Sequence, residues 1–333
     1  MSRKRTLATV VDDTDPGDDP EEVAEDGPIL QLPKRRRKLD APPVNTISDL
    51  IKMGNSVDRY KNIDNLALWR ITPLLQELDE MIGMEKLKES VFYQVIYYIQ
   101  KLHVKNNEDY LHTVIMGAPG SGKTTVARII GRLYCKMGIL SNSGEFTVAH
   151  REDMVGKWCG HTADKTRALL ESCIGGVLFI DEVYSLGTGG SRDADPFSKE
   201  CLNTITAFLS IHKNDMCCII AGYEDDIHNC FFGTNKGLER RFPWVHRIEP
   251  YTSNELCSIF HKMVDELGYE TDFKQDDFLE DIFLHNKNTF KDQGGSVEVF
   301  ITKVKMLQSK RVFGLTEDDK CVLIEKDLTD AIE

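Results

Sequence analysis

The sequence predicts an α/β fold in which a doubly wound parallel sheet is followed by a smaller, mostly helical region. Three observations support this prediction. Short, wholly apolar segments alternate with amphipathic ones between about residues 85 and 250. A glycine-rich turn joins one apolar segment to the start of a helical pattern. After Pro250 the alternation stops, and mainly helical patterns continue to the end.

Composition limits the class of protein. The chain has 333 residues, enough for two or three domains, and a net charge of −13, which disfavours nucleic acid as a partner. Its nine cysteines include no Cys-x-x-Cys pair, as expected for reduced thiols in the cytoplasm or nucleus. The sequence shows no signal peptide and no apolar run long enough for a membrane span. We therefore expect a soluble intracellular protein that does not bind membranes.

Residues 1–45 are expected to form a disordered tail. They contain few large apolar residues and carry an acidic stretch, Asp12–Asp26, followed by the basic run Lys34–Lys38. Such a segment buries too little apolar surface to offset the entropy lost on ordering. The basic run is either a nuclear-import signal, a patch for an anionic partner or a solvated block of charge.

Helical patterns precede the sheet. Residues 46–80 are predicted to form a helical extension, with Leu66–Leu78 as its helix. The segment Lys86–Leu102 repeats apolar residues on one helical face. Leu111–Met116 is the first strand candidate and leads into the glycine-rich turn.

The turn Gly117–Thr125 carries the most specific motif of the chain. Its residues match the pattern G-x-x-x-x-G-K-[ST], with the strand before it and the helix after it that the motif requires. Backbone N–H groups and the helix N-terminus then face one point, which favours polyphosphate. We expect Lys123 to reach the β- and γ-phosphates, Thr124 to bind Mg²⁺ and Thr125 to face the α-phosphate. The predicted nucleotide-binding residues are Gly117, Ala118, Pro119, Gly120, Ser121, Gly122, Lys123, Thr124 and Thr125.

Two carboxylates end another predicted strand. Gly176–Ile180 is wholly apolar, as a strand buried on both faces requires, and Asp181 and Glu182 follow it. Because ligands bind beyond the carboxyl ends of parallel strands, both acids are expected to face the phosphate loop. Asp181 would complete the Mg²⁺ site and Glu182 would polarise the attacking water. The alternative, a solvated strand end, is weakened by the presence of the phosphate loop.

The remaining elements complete the predicted fold. Two arginines, Arg240 and Arg241, precede the last strand and are either surface residues or donors for phosphate charge. Thr252–Glu255 is a capping box that opens the first helix after the sheet. The other predicted strands are Glu145–Ala149, Asp215–Gly222 and Val245–Ile248, and the other predicted helices are Phe197–Leu209, 276–285, 295–312 and 326–332, with a short apolar run at Val322–Ile324.

These motifs together resemble the AAA+ ATPases, and within them the group that contains the red-type Rubisco activase CbbX and the stage V sporulation K-like proteins. The segments that match in order and spacing are Ile82–Met84, Gly117–Thr124, Asp153–Thr162, Gly175–Tyr184, Ala221–Tyr223 and Asn235–Phe242. Through Tyr223 and Gly294–Glu298 the chain is also similar to AAA+ proteins of large DNA viruses.

The resemblance implies an ATPase that uses ATP and Mg²⁺ and assembles into a ring, usually a hexamer, with each nucleotide between two subunits. It implies an ATPase domain at residues 81–250 and a helical lid at 251–333. Ile82 and Gly83 join the expected nucleotide-binding residues. Arg241 matches the arginine finger that reaches the neighbour's γ-phosphate, with Arg240 as the alternative.

The resemblance also changes the interpretation of Trp158. A tryptophan in a polar loop is usually packed beneath it. The resemblance instead places Lys157, Trp158 and Cys159 on the first pore loop, where an aromatic residue grips a threaded polypeptide. Gly187–Pro196 would then be the second pore loop.

Two positions depart from the family pattern. Tyr223 occupies the catalytic sensor-1 position, where Asn or Thr is frequent. No arginine in Gly294–Glu298 matches sensor 2, and Lys303 and Lys305 lie one to two helical turns later. We therefore expect hydrolysis to be slow or to need activation by a partner.

The predicted function is an ATP-hydrolysing AAA+ remodeller whose ring engages a protein client. One alternative is a loader or helicase-like factor acting on nucleic acid, which the acidic charge disfavours. Another is a nucleotide-gated scaffold with slow turnover, which the altered sensor positions keep open. A P-loop kinase fits the motifs least well.

Overall fold

The computed structural model describes residues 38–105, 110–141, 146–158, 160–187, 195–273, 276–315 and 318–332. In this part of the chain a parallel five-stranded sheet has the strand order β2-β3-β4-β1-β5. The strands are β1 (Thr113–Met116), β2 (Phe146–Ala149), β3 (Val177–Ile180), β4 (Cys217–Gly222) and β5 (Trp244–Arg247). The predicted α/β fold class is confirmed.

Neighbouring residues of the central strands point into two different cores. Ile115 and Phe179 lie in one core. Val114 and Leu178 lie in the other. Because successive side chains of a strand point to opposite faces, both faces of the sheet are buried, and this explains why the strands are apolar throughout.

Helices cover both faces of the sheet. One core contains apolar residues of α1 (Ile47–Asn55), α2 (Asn65–Asp79), α3 (Glu85–Ile99) and α4 (Lys123–Lys136). The other contains residues of α5 (Arg151–Met154), α6 (His161–Ser172) and α7 (Pro196–Ile211). The predicted N-terminal extension thus shares a core with the sheet. Short elements complete this part: 3-10 turns at Leu102–Lys105 and Val183–Leu186, α8 (Glu224–Asp226), a π-helical turn at Ile227–Phe232 and α9 (Lys236–Glu239).

The C-terminal helices have a core of their own. Phe260, Phe283 and Phe300 lie at its centre. The capping box is present, since Thr252 N donates to Glu255 Oε2 at 2.7 Å and Glu255 N donates to Thr252 Oγ1 at 3.2 Å. The elements are α10 (Ser253–Glu266), β6 (Glu270–Thr271), α11 (Asp276–His285), α12 (Gln293–Arg311), a 3-10 turn at Asp318–Cys321, β7 (Val322–Leu323) and α13 (Glu325–Ile332), with β6 and β7 paired in parallel.

Several sequence-based expectations lie outside the described residues. These are the acidic stretch and most of the basic run within residues 1–37, Cys159, and residues 188–194 of the expected second pore loop. Among the helices that are described, none is long and apolar enough to span a bilayer.

Candidate nucleotide-binding site

The phosphate loop joins β1 to α4 at the carboxyl edge of the sheet. Gly120 and Gly122 have φ angles of 62° and 87°, in the left-handed region that glycine tolerates best. Gly122 is the N-cap of α4 and supplies no side chain to cap it. The first N–H groups of the helix therefore keep their capacity to bind an anion in the loop.

Lys123 is the first residue of α4, and its ammonium group turns back over the loop. Its Nζ donates hydrogen bonds to the carbonyl oxygens of Gly117 at 3.1 Å and Ala118 at 2.7 Å. Burial lowers the pKa of Lys123, whereas the charges of Asp181 and Glu182 oppose this shift. A cation held inside an anion-binding loop is suited to polyphosphate.

Thr124 and Asp181 meet at the same edge of the sheet. Thr124 Oγ1 donates to Asp181 Oδ2 at 3.1 Å, although 56 residues separate them in the chain. A hydroxyl and a carboxylate are oxygen ligands of the kind that Mg²⁺ takes from a protein, with phosphate and water completing its shell. Within the described ranges no group of three or more His, Cys, Asp or Glu forms another metal site. These two residues therefore fit the expected Mg²⁺.

Glu182 and Tyr223 complete the carboxyl edge of the central strands. Glu182 follows β3 in a left-handed conformation with φ of 47°. Tyr223 follows β4, and its ring centre lies 5.2 Å from Lys123 Nζ. The structure thus brings these residues together with the phosphate loop.

A cleft of about 450 Å³ opens at this edge. It lies between the phosphate loop, the ends of β3 and β4, and residues of α10 and α12. Among the described residues, Lys123 is the one cationic side chain that lines it. The lining residues are Pro119–Thr125, Asp181, Glu182, Tyr184, Gly222, Tyr223, Met263, Gly294, Gly295 and Glu298.

The start of α12 packs directly on the phosphate loop, which the sequence did not predict. A Cβ atom on Gly120 would overlap the carbonyl oxygen of Asp292 and lie 2.6 Å from the nitrogen of Gly295. Tyr251 adds a second contact, because its hydroxyl donates to the carbonyl oxygen of Ser121 at 3.1 Å. The glycine pair Gly294-Gly295 was the one sequence signal for this close approach.

Ile82 and Gly83 are not among the described residues that line this cleft. Ile82 packs against the core of the C-terminal helices. Gly83 has φ of 66°, and a Cβ atom there would meet the carboxylate of Glu255, with Cδ at 3.0 Å. Their predicted part in nucleotide binding stays a prediction.

The loop before α6 exposes its aromatic residue. Trp158 is 71% exposed, and Lys157 beside it is also exposed. The alternative that Trp158 packs beneath the loop is therefore wrong. Lys157 and Trp158 border a second cleft of about 460 Å³, together with Gly156, His161, Asp164 and Lys165.

Arg151 connects the helix before this loop to the turn that follows Glu182. It opens α5, which directly precedes the loop. Its Nη1 donates to the carbonyl oxygen of Ser185 at 2.6 Å and to Ser198 Oγ at 2.7 Å, and its Nη2 pairs with Asp195. Ser185 lies three residues after Glu182, so Arg151 is bonded to the turn that follows the cleft residue Glu182.

Arg240 and Arg241 differ in their surroundings. Arg241 is buried and donates hydrogen bonds to Ser210 and Gly237 of its own chain. Arg240 is exposed. Lys303 and Lys305 are not among the described residues that line the cleft, and Lys305 Nζ instead lies 5.7 Å from the ring centre of Tyr269.

Comparison with known proteins agrees with this geometry. Residues 113–232 match the model of the ATPase family associated with various cellular activities (AAA). The solved structure of the FIGL-1 AAA domain in complex with ADP matches with a TM-score of 0.54 and 18% identity, over 76% of this chain and 82% of that chain. At this identity the match shows the fold alone. The fold and site define an AAA ATPase, a class that binds nucleotide.

More similar sequences narrow the class. The chain is 36% identical to a cfxQ-like protein of Acanthamoeba polyphaga mimivirus, over 80% of this chain and 66% of that protein. It is 37% identical to stage V sporulation protein K of Bacillus subtilis, over 64% and 66%, and 32% identical to a CfxQ homolog of Pyropia yezoensis, over 84% and 92%. The chain therefore belongs to the AAA family, in the group of CfxQ-like proteins and stage V sporulation protein K. It spans 66% of each of the first two relatives.

Proposed function

We propose that this chain is an ATP-hydrolysing AAA+ remodeller that works as a ring and grips a protein client through Trp158. The observation that carries the proposal is the convergence of Lys123, Thr124 and Asp181 at one cleft, with an exposed tryptophan on a loop that Arg151 connects to it. The first feature supports ATP hydrolysis, and the second supports mechanical work on a partner.

Each residue of the cleft has a place in the proposed reaction. Lys123 would bind the β- and γ-phosphate oxygens, and Thr124 and Asp181 would hold Mg²⁺, which neutralises phosphate charge when bound. Glu182 would accept a proton from the water that attacks the γ-phosphorus. The bond between that phosphorus and the bridging oxygen breaks, which yields ADP and inorganic phosphate.

In the proposed ring, a neighbouring subunit supplies a second cation to the cleft. Lys123 is the one cation among the described lining residues, whereas the transferred phosphoryl group usually meets a second cation in the transition state. We propose that an arginine of the neighbouring subunit provides it. Arg241 was placed first by the sequence motif, but the contacts of the two side chains favour the exposed Arg240.

Client binding is proposed for the segment that contains Lys157 and Trp158, with Cys159 included from the sequence pattern. A large exposed aromatic ring gains free energy when it buries apolar area against a polypeptide. Closure of the cleft around ATP would then move the loop through the contact between Arg151 and Ser185.

The slow-turnover scaffold remains the second candidate. Two observations favour it: a tyrosine, Tyr223, stands at the position expected to orient water, and neither Lys303 nor Lys305 is among the described residues that line the cleft. A measured turnover number separates a motor from a scaffold.

Two substitutions test the proposal. Lys123→Ala is expected to abolish tight ATP binding, because it removes the cation of the loop. Glu182→Gln should bind ATP as the parent does but lose turnover, because an amide cannot accept the proton from water. Glu171→Gln, at an exposed position of α6, is the matched control. Parental hydrolysis by Glu182→Gln would contradict the proposed base.

The ATPase rate should also be measured against protein concentration, with and without nucleic acid. A specific activity that rises with protein concentration is expected if subunits complete each other's sites. A rate independent of concentration down to the monomer contradicts the shared site. Strong stimulation by DNA or RNA would favour the loader alternative instead.

A further inference from the structure

Tyr184 lies within the cleft, and the reaction described above does not use it. It belongs to the 3-10 turn Val183–Leu186 that follows Glu182, and it is one of the lining residues. Its ring stacks on Tyr223, with 5.5 Å between the ring centres and 21° between the planes. The two tyrosines follow neighbouring strands of the sheet, β3 and β4.

Gly222 provides the space for this ring. A Cβ atom on Gly222 would lie 3.1 Å from Cδ1 of Tyr184, closer than ordinary van der Waals contact. The ring therefore rests directly against the backbone at the end of β4. Gly222 and Tyr223 thus both pack against the ring of Tyr184.

The hydroxyl of Tyr184 interacts electrostatically with the Glu182 carboxylate. Burial, together with the negative charge of Glu182, raises the pKa of Tyr184 to about 12. The phenol therefore keeps its proton near neutral pH and stays a donor.

Glu182 benefits from such a donor because its backbone is fixed whereas its side chain can rotate. Its φ of 47° and ψ of 45° place it in the left-handed region, which costs energy for a residue with a long side chain. Its N–H is held by Asp181 Oδ1 at 2.9 Å. This bond fixes the backbone, but the carboxylate still lies at the end of three rotatable bonds.

We propose that Tyr184 is a positioning residue for hydrolysis, whose hydroxyl holds the carboxylate of Glu182 toward the attacking water. Its stack on Tyr223 connects this orientation to the phosphate loop, because the Tyr223 ring contacts Lys123 Nζ, 5.2 Å from the ring centre. The inference rests on the proposed function of Glu182 as the base. Since Tyr184 acts through Glu182, it affects kcat and not the affinity for ATP.

Tyr184→Phe is the first test, in the full-length chain, because it keeps the ring and deletes only the hydroxyl. We expect kcat to fall about tenfold, the change that loss of one hydrogen bond to a charged group produces. The Kd for MgATP and the Tm should stay at the parental values. Tyr184→Leu, which also removes the stack, should lower kcat further. A parental kcat for Tyr184→Phe overturns the proposal, and so does a parallel loss of kcat, ATP affinity and Tm.

A double-mutant cycle shows whether Tyr184 acts through Glu182. Glu182→Asp withdraws the carboxylate by one methylene, so adding Tyr184→Phe to it should cause no further loss of kcat. A full tenfold loss in that background contradicts a positioning function. The outcome for Glu182→Gln distinguishes a failure of the proposed base, Glu182, from a failure of the inference about Tyr184. If Glu182→Gln is slow and Tyr184→Phe is parental, only the inference about Tyr184 fails.

Discussion

Arg241 Nε donates a hydrogen bond of 2.8 Å to Ser210 Oγ, on helix α7 of the same chain. Nη2 donates to the same oxygen at 2.6 Å, and Nη1 donates to the carbonyl oxygen of Gly237. The side chain would have to give up these bonds to reach a neighbouring subunit. Arg240, the adjacent residue, is exposed, and its side chain makes no hydrogen bond within the part of the chain that the structure describes.

We therefore expect Arg240→Ala to bind ATP and assemble but to hydrolyse about 10³-fold more slowly, the lower end of what an arginine finger supplies. Mixing Arg240→Ala with Lys123→Ala subunits should restore part of the activity, because each supplies what the other lacks. ATPase rates across mixing ratios, with mixed rings confirmed by native mass spectrometry, measure this. Absence of recovery at every ratio contradicts a shared site.

Arg241→Ala provides the comparison. Its loss removes the donor to the carbonyl of Gly237 and to the hydroxyl of Ser210, although that hydroxyl still donates to the carbonyl oxygen of Thr206. We therefore expect destabilisation of about 1 to 3 kcal/mol and a lower Tm. If Arg241→Ala instead melts like the parent and Lys123→Ala subunits rescue its activity, Arg241 is the arginine finger and the preference for Arg240 is wrong.

Trp158→Ala separates client binding from stability. Because Trp158 is 71% exposed, its loss should leave the Tm and the ATP affinity near the parental values. It should weaken client contact by about 2 kcal/mol or more. Casein, an unfolded protein, serves as the probe, and its stimulation of the ATPase is the readout. Casein stimulation equal to that of the parent would count against the proposed grip.

Trp244→Ala is the matched control for this substitution. Trp244 packs against Tyr97 and Tyr98, with ring centres at 6.3 and 6.1 Å. Truncation of a packed aromatic side chain costs about 3 to 5 kcal/mol. Only the control is therefore expected to lower the Tm.

Gly120→Ala tests the contact between α12 and the phosphate loop. Alanine at this position meets two costs: the left-handed φ of 62° and overlap with the carbonyl oxygen of Asp292. Gly138→Ala is the control, because Gly138 has a similar φ of 72° with no atom within 4 Å of a Cβ there. Both variants should lose about 1 to 2 kcal/mol from backbone strain.

Only Gly120→Ala should in addition weaken ATP binding, by about tenfold or more, because it displaces α12 or the loop from the cleft. Titration with a fluorescent ATP analogue measures the affinity, and thermal melting measures the strain. Equal ATP affinity in the two variants would show that the contact does not shape the cleft.

Two buried histidines predict loss of stability in acid. Burial lowers the pKa of His246 to about 4, and burial together with the charge of Arg241 lowers that of His112 to about 3. Their pKa in the unfolded chain is about 6.5, so below that pH the unfolded state binds protons that the folded state does not bind. Stability contributed by the neutral rings is therefore present above pH 6.5 and is lost as the pH falls toward about 4.

His246→Leu should reduce this loss, because the variant has one fewer buried ring to protonate on unfolding. The difference is on the order of 2 to 3 kcal/mol between pH 7.5 and pH 4. Urea denaturation at several pH values measures it, and His285→Leu, at an exposed position, is the control. An unchanged pH dependence in His246→Leu would contradict the assignment.

The sequence was sufficient to predict the elements that a local pattern of residue types identifies. The strands are wholly apolar because both faces of the sheet are covered, and the motif from Gly117 to Thr124 requires a strand before it and a helix after it. Helix α6 was not predicted, since two of its buried residues, Thr162 and Thr166, are polar and disturb the apolar period. Threonine tolerates burial there because Thr166 Oγ1 donates to the carbonyl oxygen of Met154 at 3.0 Å.

The sequence by itself therefore determined the fold class, the phosphate loop and the carboxylates after β3, because each depends on residues close together in the chain. Tertiary structure alone decided the contact of Gly120 with Asp292, the burial of Arg241 and the exposure of Trp158. These features depend on segments that are distant in sequence and meet only after the helices pack. The pattern of residues shows which side chains can do chemistry, whereas packing decides which of them are free to do it.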